Sequence, residues 1–121
     1  MLDTGALIAF ERNLPRVRRL VELAVLHRVP LYVPAGVLAQ AWRDGSRHVR
    51  LARLVGSAAV TVRPLDELEA QAAGVLCGAR GTSDVVDASV VIAARVQHAV
   101  VLTSDAGDIR HLDPSLDVVA C

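Results

Sequence analysis

Short runs of β-branched and apolar residues alternate with helix-patterned segments along the whole chain, and this alternation restricts the fold more than any other feature. LYV at 31–33 lies between two prolines, VTVR at 60–63 is ended by Pro64, and AVVLT at 99–103 and DVVA at 117–120 complete the set. Between them the apolar period changes from two to three or four. After Pro15, residues Val17, Leu20, Val21 and Ala24 form one face, with Arg16, Arg18, Arg19 and Glu22 on the other. Further helices are expected from Pro34 to Trp42, over RHVRLARLVG with Ser46 as its cap, and from Asp66 to Arg80 before Gly81. VVDASVVIAARVQ, capped by Ser83 or Asp84, is another, and Ser104-Asp105 begins a last helical turn. Strands that alternate with helices imply an α/β sandwich around a mostly parallel sheet. With 121 residues and no repeat, linker or low-complexity stretch, a single domain over residues 1–121 is expected. The start is abrupt: Met1-Leu2 is too little for a strand, so the first strand is expected to be very short or truncated.

Composition removes several classes of function. A hydrophobic content of 53% can build one core, but Phe10, Tyr32 and Trp42 are the only aromatic residues. Base stacking on aromatic platforms therefore has few candidates. Cys77 and Cys121 offer neither a disulfide framework nor zinc-ligand spacing. No apolar run reaches the ~20 residues of a membrane span; a soluble, cytoplasmic protein without membrane contact is expected. Net charge is zero, yet every basic residue is arginine, a side chain that grips phosphates and carboxylates through two parallel hydrogen bonds.

The tripeptide Asp3-Thr4-Gly5 also occurs at the centre of aspartic proteases. Those enzymes are β-sheet proteins in which two such loops meet, and this chain carries one copy among helices. A second explanation comes from the expected sheet, whose ligands would bind beyond the carboxyl ends of its strands. Asp3 follows the first strand, and Asp105 follows AVVLTS. Asp84 and Asp87 are three apart at the start of the helix that precedes that strand, and Asp105 and Asp108 repeat the spacing. Taken singly, Asp84 and Asp105 read as N-caps. Asp87 is harder to explain that way, because it interrupts the apolar run VVDASVVIAA. Five carboxylates at one edge would repel unless a cation intervened, and oxygen-only ligands suit Mg²⁺ or Mn²⁺.

LDTGALIAF, SDVVDASVVIAA and VVLTSDAGDIRHL, in this order and spacing, resemble the PIN domain, and more narrowly the VapC-type toxins of toxin–antitoxin pairs. The resemblance spans nearly the whole chain. It implies an α/β/α three-layer sandwich and Mg²⁺- or Mn²⁺-dependent endoribonuclease activity on RNA, often a structured RNA such as tRNA. It also implies a cognate antitoxin and a homodimer. Carried over by position, Asp3, Asp87 and Asp105 are the catalytic, metal-holding acids, and Asp84 and Asp108 are assisting metal ligands. Thr4 and Ser104 are expected to orient water or a substrate phosphate. One position departs: where the family usually has glutamate, this chain has Gln40. An amide removes one negative charge, so weaker metal affinity with retained activity is expected. The alternative is a catalytically impaired domain that binds RNA or protein. A phosphatase or DNA nuclease on a similar sheet is a third reading.

Arg43, Arg47 and Arg50, with Arg53, are spaced to keep several guanidinium groups on one side, a candidate RNA-binding face. An ordinary solvated helix face explains them equally well. His48 and His111 lack any nucleophile at recognisable spacing and are expected to be surface residues. Trp42 is expected to pack rather than stack on a base.

Overall fold

The computed structural model describes residues 1–121. Seven α-helices accompany four short strands, all paired in parallel. β1 (Leu31–Pro34) lies beside β2 (Val60–Arg63), with Leu31 opposite Val60 and Pro34 opposite Arg63. β3 (Val101–Thr103) lies beside β4 (Val118–Ala120), with Val101 opposite Val118. The residues between these two pairs come from the start of the chain. The Leu2 N–H donates to Tyr32 O (2.9 Å), the Leu102 N–H to Met1 O (2.8 Å) and the Asp3 N–H to Leu102 O (3.2 Å). Met1–Asp3 thus bridges β1 to β3, and the expected first strand exists only as this bridge.

The helices are α1 (Thr4–Glu11), α2 (Pro15–Leu26), α3 (Ala35–Ala41), α4 (Val49–Val55), α5 (Glu67–Arg80), α6 (Val85–Gln97) and α7 (Ala106–Leu112). Most of their ends are set by local chemistry. Pro15 occupies the first turn of α2, where its missing N–H costs nothing. Asp66 caps α5 by accepting from the Glu69 N–H at 2.8 Å, and Gly81 ends that helix in the left-handed conformation at φ 66°. Ser46 does not cap α4. It lies in a 3-10 turn (Gly45–Arg47) where Asp44 Oδ1 accepts from both its N–H (3.0 Å) and its hydroxyl (2.8 Å). A nearby carboxylate outcompetes the helix for that serine, and α4 begins three residues later without a side-chain cap.

α6 is the internal helix: every residue from Ala88 to Ala94 is buried, as its nearly unbroken apolar sequence requires. Val90 and Val91 join Leu7, Val17, Val33, Val37, Leu51, Val101, Ile109 and Leu112 in the main core. Ala88 and Ile92 pack with Ala73 and Cys77 of α5 in a smaller cluster. Both cysteines are free, and no helix is long and apolar enough to cross a membrane.

One buried carboxylate ties α6 to the end of α7. Asp113 is 6% exposed; its Oδ2 accepts from Arg95 Nε at 2.7 Å, and its Oδ1 accepts from the Ser115 N–H and hydroxyl at 2.9 and 2.6 Å. The Ser115 hydroxyl and then Arg95 hold its pKa down at about 2. A depressed carboxylate adds stability above the unfolded value and loses it as pH falls through the folded one. Asp113→Ala is therefore expected to cost about 2–3 kcal/mol at pH 7. In urea denaturation that difference should shrink between pH 4 and pH 2; a loss of equal size at both ends would contradict the assignment.

Candidate metal centre

The three segments that the sequence singles out meet at the carboxyl ends of the strands. Asp3, Asp84 and Asp105 each cap the helix that follows. Asp3 Oδ1 accepts from the Ala6 N–H of α1 at 2.8 Å, Asp84 Oδ1 from the Asp87 N–H of α6 at 3.0 Å, and Asp105 Oδ1 from the Asp108 N–H of α7 at 3.3 Å. The capping reading therefore holds at all three acids. Three helix N-termini, each a partial positive charge, offset part of the repulsion among the acids they carry.

Asp3 is the innermost of these groups, 5% exposed. Burial raises its pKa, opposed by hydrogen bonds from the Thr103 hydroxyl and the Ala6 N–H, while the charge of Asp105 adds to the rise. Half-buried Asp87 is raised further, to about 7, first by desolvation and then by Asp84, with Asp3 and Asp108 contributing. Asp108 is raised chiefly by its contact with Asp105, and Asp84 adds to it. All five acids thus belong to one electrostatically connected group. In this arrangement no three His, Cys, Asp or Glu side chains stand close enough together to ligate a common ion. Oxygen-only donors under mutual repulsion suit a hard divalent cation in kind, and drawing them together is the step that such an ion would favour.

A group whose folded pKa is raised loses stability as pH climbs from the unfolded value to the folded one. For Asp87 that window runs from about 4 to about 7. Asp87→Asn mimics the protonated acid, so it should leave stability unchanged at pH 4. At pH 8 it should add about 1–2 kcal/mol after allowance for solvent screening, or roughly 4 °C in Tm. Thermal melts at the two pH values check this; equal effects at both would contradict it.

The neighbours of the acids are polar and closely fitted. The Thr4 hydroxyl donates to Gln40 Oε1 at 2.5 Å, so the glutamine that replaces the expected glutamate faces the start of α1. Gln40 also shares a shallow depression with Thr82, Ser83 and Asp84. Ser104 rests directly over Gly5: a Cβ at Gly5 would overlap the Ser104 hydroxyl and lie 2.7 Å from its Cβ. Glycine here serves close approach, because it lets the turn that carries Asp3 touch the loop that carries Asp105.

Sequence reasoning missed Thr103. It is fully buried; its hydroxyl accepts from the Asp105 N–H at 2.9 Å and lies close enough to the Asp3 carboxylate to lower its pKa. A threonine as the last residue of an apolar strand, just before Ser-Asp, was the available signal.

The proposed arginine face is not brought together. Arg43 donates to Ala39 O and Trp42 O at 3.1 and 2.9 Å, and Arg47 is 3.6 Å from Asp44. Arg50 and Arg53 line the groove between α2 and α4 with Arg18. The break at the 3-10 turn, which interrupts the helical register, separates them. His48 Nε2 accepts from the Arg43 N–H at 3.0 Å, and its ring packs 5.3 Å from that of Trp42. His111 Nε2 is 2.8 Å from Arg80 O, which makes it the donor. Neither imidazole is bonded to a nucleophile. No family model and no curated protein matches the chain.

Proposed function

We propose that this chain is a PIN-type α/β/α sandwich acting as a Mg²⁺- or Mn²⁺-dependent endoribonuclease, the toxin of a toxin–antitoxin pair. The observation that carries the reading is that Asp3, Asp84, Asp87, Asp105 and Asp108, at the starts of three helices, feel one another's charge as one connected group. Asp3, Asp87 and Asp105 would hold the cation, assisted by Asp84 and Asp108. When bound, such an ion activates water and neutralises charge growing on a phosphoryl group. The chain's own contribution is positional. The Ala6 N–H fixes the Asp3 carboxylate, and the Thr103 hydroxyl fixes the backbone of Asp105. The Ser104 hydroxyl lies beside the acids and can donate to a phosphate oxygen, whereas the Thr4 hydroxyl already donates to Gln40 Oε1.

This reading implies RNA as substrate, a folded one such as tRNA being the natural first probe. It also implies a homodimer and an antitoxin. Exposed Leu23, Val25 and Leu26 on α2 suit docking of the antitoxin as a helix in a groove.

The Thr4–Gln40 bond favours one competing reading, a domain that binds RNA or protein without turnover, because it engages Gln40 Oε1 elsewhere. Gln40→Glu separates the two. The parent should cleave RNA with Mg²⁺ and stop on chelation, and the variant should need about tenfold less Mg²⁺ for half-maximal rate, the size of effect that a metal-supporting group has. A silent parent with an active variant would establish the impaired module. Silence in both would remove the nuclease reading.

A further inference from the structure

An acidic edge repels the polyanion it is proposed to cut, so a fixed cation beside it has a specific use. Of the arginines expected to fill that role, Arg47 lies beside Asp44, and Arg50 and Arg53 line the α2–α4 groove; Arg16 is placed differently. It lies in the first turn of α2, is solvent-exposed, and donates from Nε to Ala120 O at 3.0 Å. Ala120 is the last residue of β4, and the next N–H, that of Cys121, bonds Thr103 O at 2.9 Å. The guanidinium is therefore held at the carboxyl end of the strand beside β3, about 5 Å over, where the Thr103 hydroxyl bonds the Asp105 N–H. The Cys121 thiol feels the charges of both Asp3 and Arg16, after the larger effect of its own burial. Arg16 forms no ion pair. With Nε spent on a main-chain carbonyl, both Nη groups remain free in a fixed plane, the geometry that grips a phosphate through two bonds.

We propose that Arg16 is a substrate-binding residue that grips an RNA backbone phosphate next to the one being cut, on the β4 side of the acids. The proposal rests on the ribonuclease reading for its substrate, and its test reads binding apart from turnover. Binding of labelled, unfractionated tRNA to the full chain is measured in EDTA across a salt series, for the parent, Arg16→Ala, Arg16→Lys and Arg19→Ala. Arg19 is an exposed arginine on the same helix with no ion pair. Loss of one phosphate contact should weaken Arg16→Ala about tenfold and reduce the slope of log K against log salt by about one. Arg16→Lys should recover part of the affinity, and Arg19→Ala should match the parent.

An Arg16→Ala variant with parental affinity and slope overturns the proposal, even if its melting temperature falls, because the arginine would then only staple α2 to β4. Equal weakening by Arg19→Ala also overturns it, in favour of diffuse charge. A parent that binds tRNA through Arg16 yet never cuts it keeps the phosphate contact, and overturns both the cleavage reading and the placing of that contact next to a scissile bond. A parent that binds no RNA removes both.

Discussion

Asp3→Asn is expected to lower Mg²⁺-stimulated RNA cleavage by about a thousandfold while the protein stays folded. The asparagine side chain is nearly the same size, and its carbonyl can still cap α1 by accepting from the Ala6 N–H, now at 2.8 Å from Asp3 Oδ1. What it removes is the negative charge at the most buried of the five acids. Loss of one preorganised electrostatic group in a catalytic site costs about 10²–10³ in rate, and a group that also holds a cation belongs at the upper end. Gel-based cleavage at saturating Mg²⁺ reads the effect, and a thermal melt confirms the fold. Asp3→Ala would confuse the two, because it also removes the cap. Cleavage by Asp3→Asn within a few fold of the parent would mean that Asp3 is a structural cap alone.

The second large effect is steric. In Gly5→Ala the new methyl overlaps the Ser104 hydroxyl and presses on its Cβ at 2.7 Å. Rotating the hydroxyl away relieves the first overlap only; relief of the second requires the β3–α7 loop to shift. Overpacking of this kind costs about 1–3 kcal/mol, and the shift moves Asp105 away from Asp3. Cleavage should fall about a hundredfold, since small misplacements of reacting groups carry penalties of that order. The double variant Gly5→Ala/Ser104→Gly removes both offending atoms and should recover most of the stability. A single variant as stable and active as the parent would show that the contact is soft and that the glycine serves only the turn.

Much of the fold was legible because its signals are local. Asp66, Asp84 and Gly81 mark helix ends through bonds and dihedrals that span three or four residues, and each acts where its type implies. The apolar run of α6 reads as buried for the same reason. The bridge formed by Met1–Asp3 was not legible, since two residues carry no period and its partners lie about 30 and 100 positions away. Ser46 misled because Asp44 was an equally near acceptor, and only geometry decides between competing caps. The expected helix over Arg47, Arg50 and Arg53 is shorter than its spacing implied, because the 3-10 turn leaves Arg47 outside α4 while Arg50 and Arg53 stay on it.

The candidate site divides in the same way. Its acids announce themselves by interrupting apolar sequence or by following a strand. The groups that hold them there do not: Thr103 reads as an ordinary strand residue, Gly5 as an ordinary turn glycine, and Arg16 as one polar residue of an amphipathic helix. Each matters because of what it touches across the sheet edge, at Asp3, Ser104 and Ala120 respectively.

Everything functional here depends on whether these acids, now mutually repelling, take up one divalent ion. Titration of the full chain with Mn²⁺ at pH 7.5, followed by electron paramagnetic resonance, tests that directly. The account predicts saturable binding that is tighter than in Asp3→Asn and Asp87→Asn. Free Mn²⁺ signal that grows in proportion to added metal, or identical isotherms for all three proteins, would contradict it.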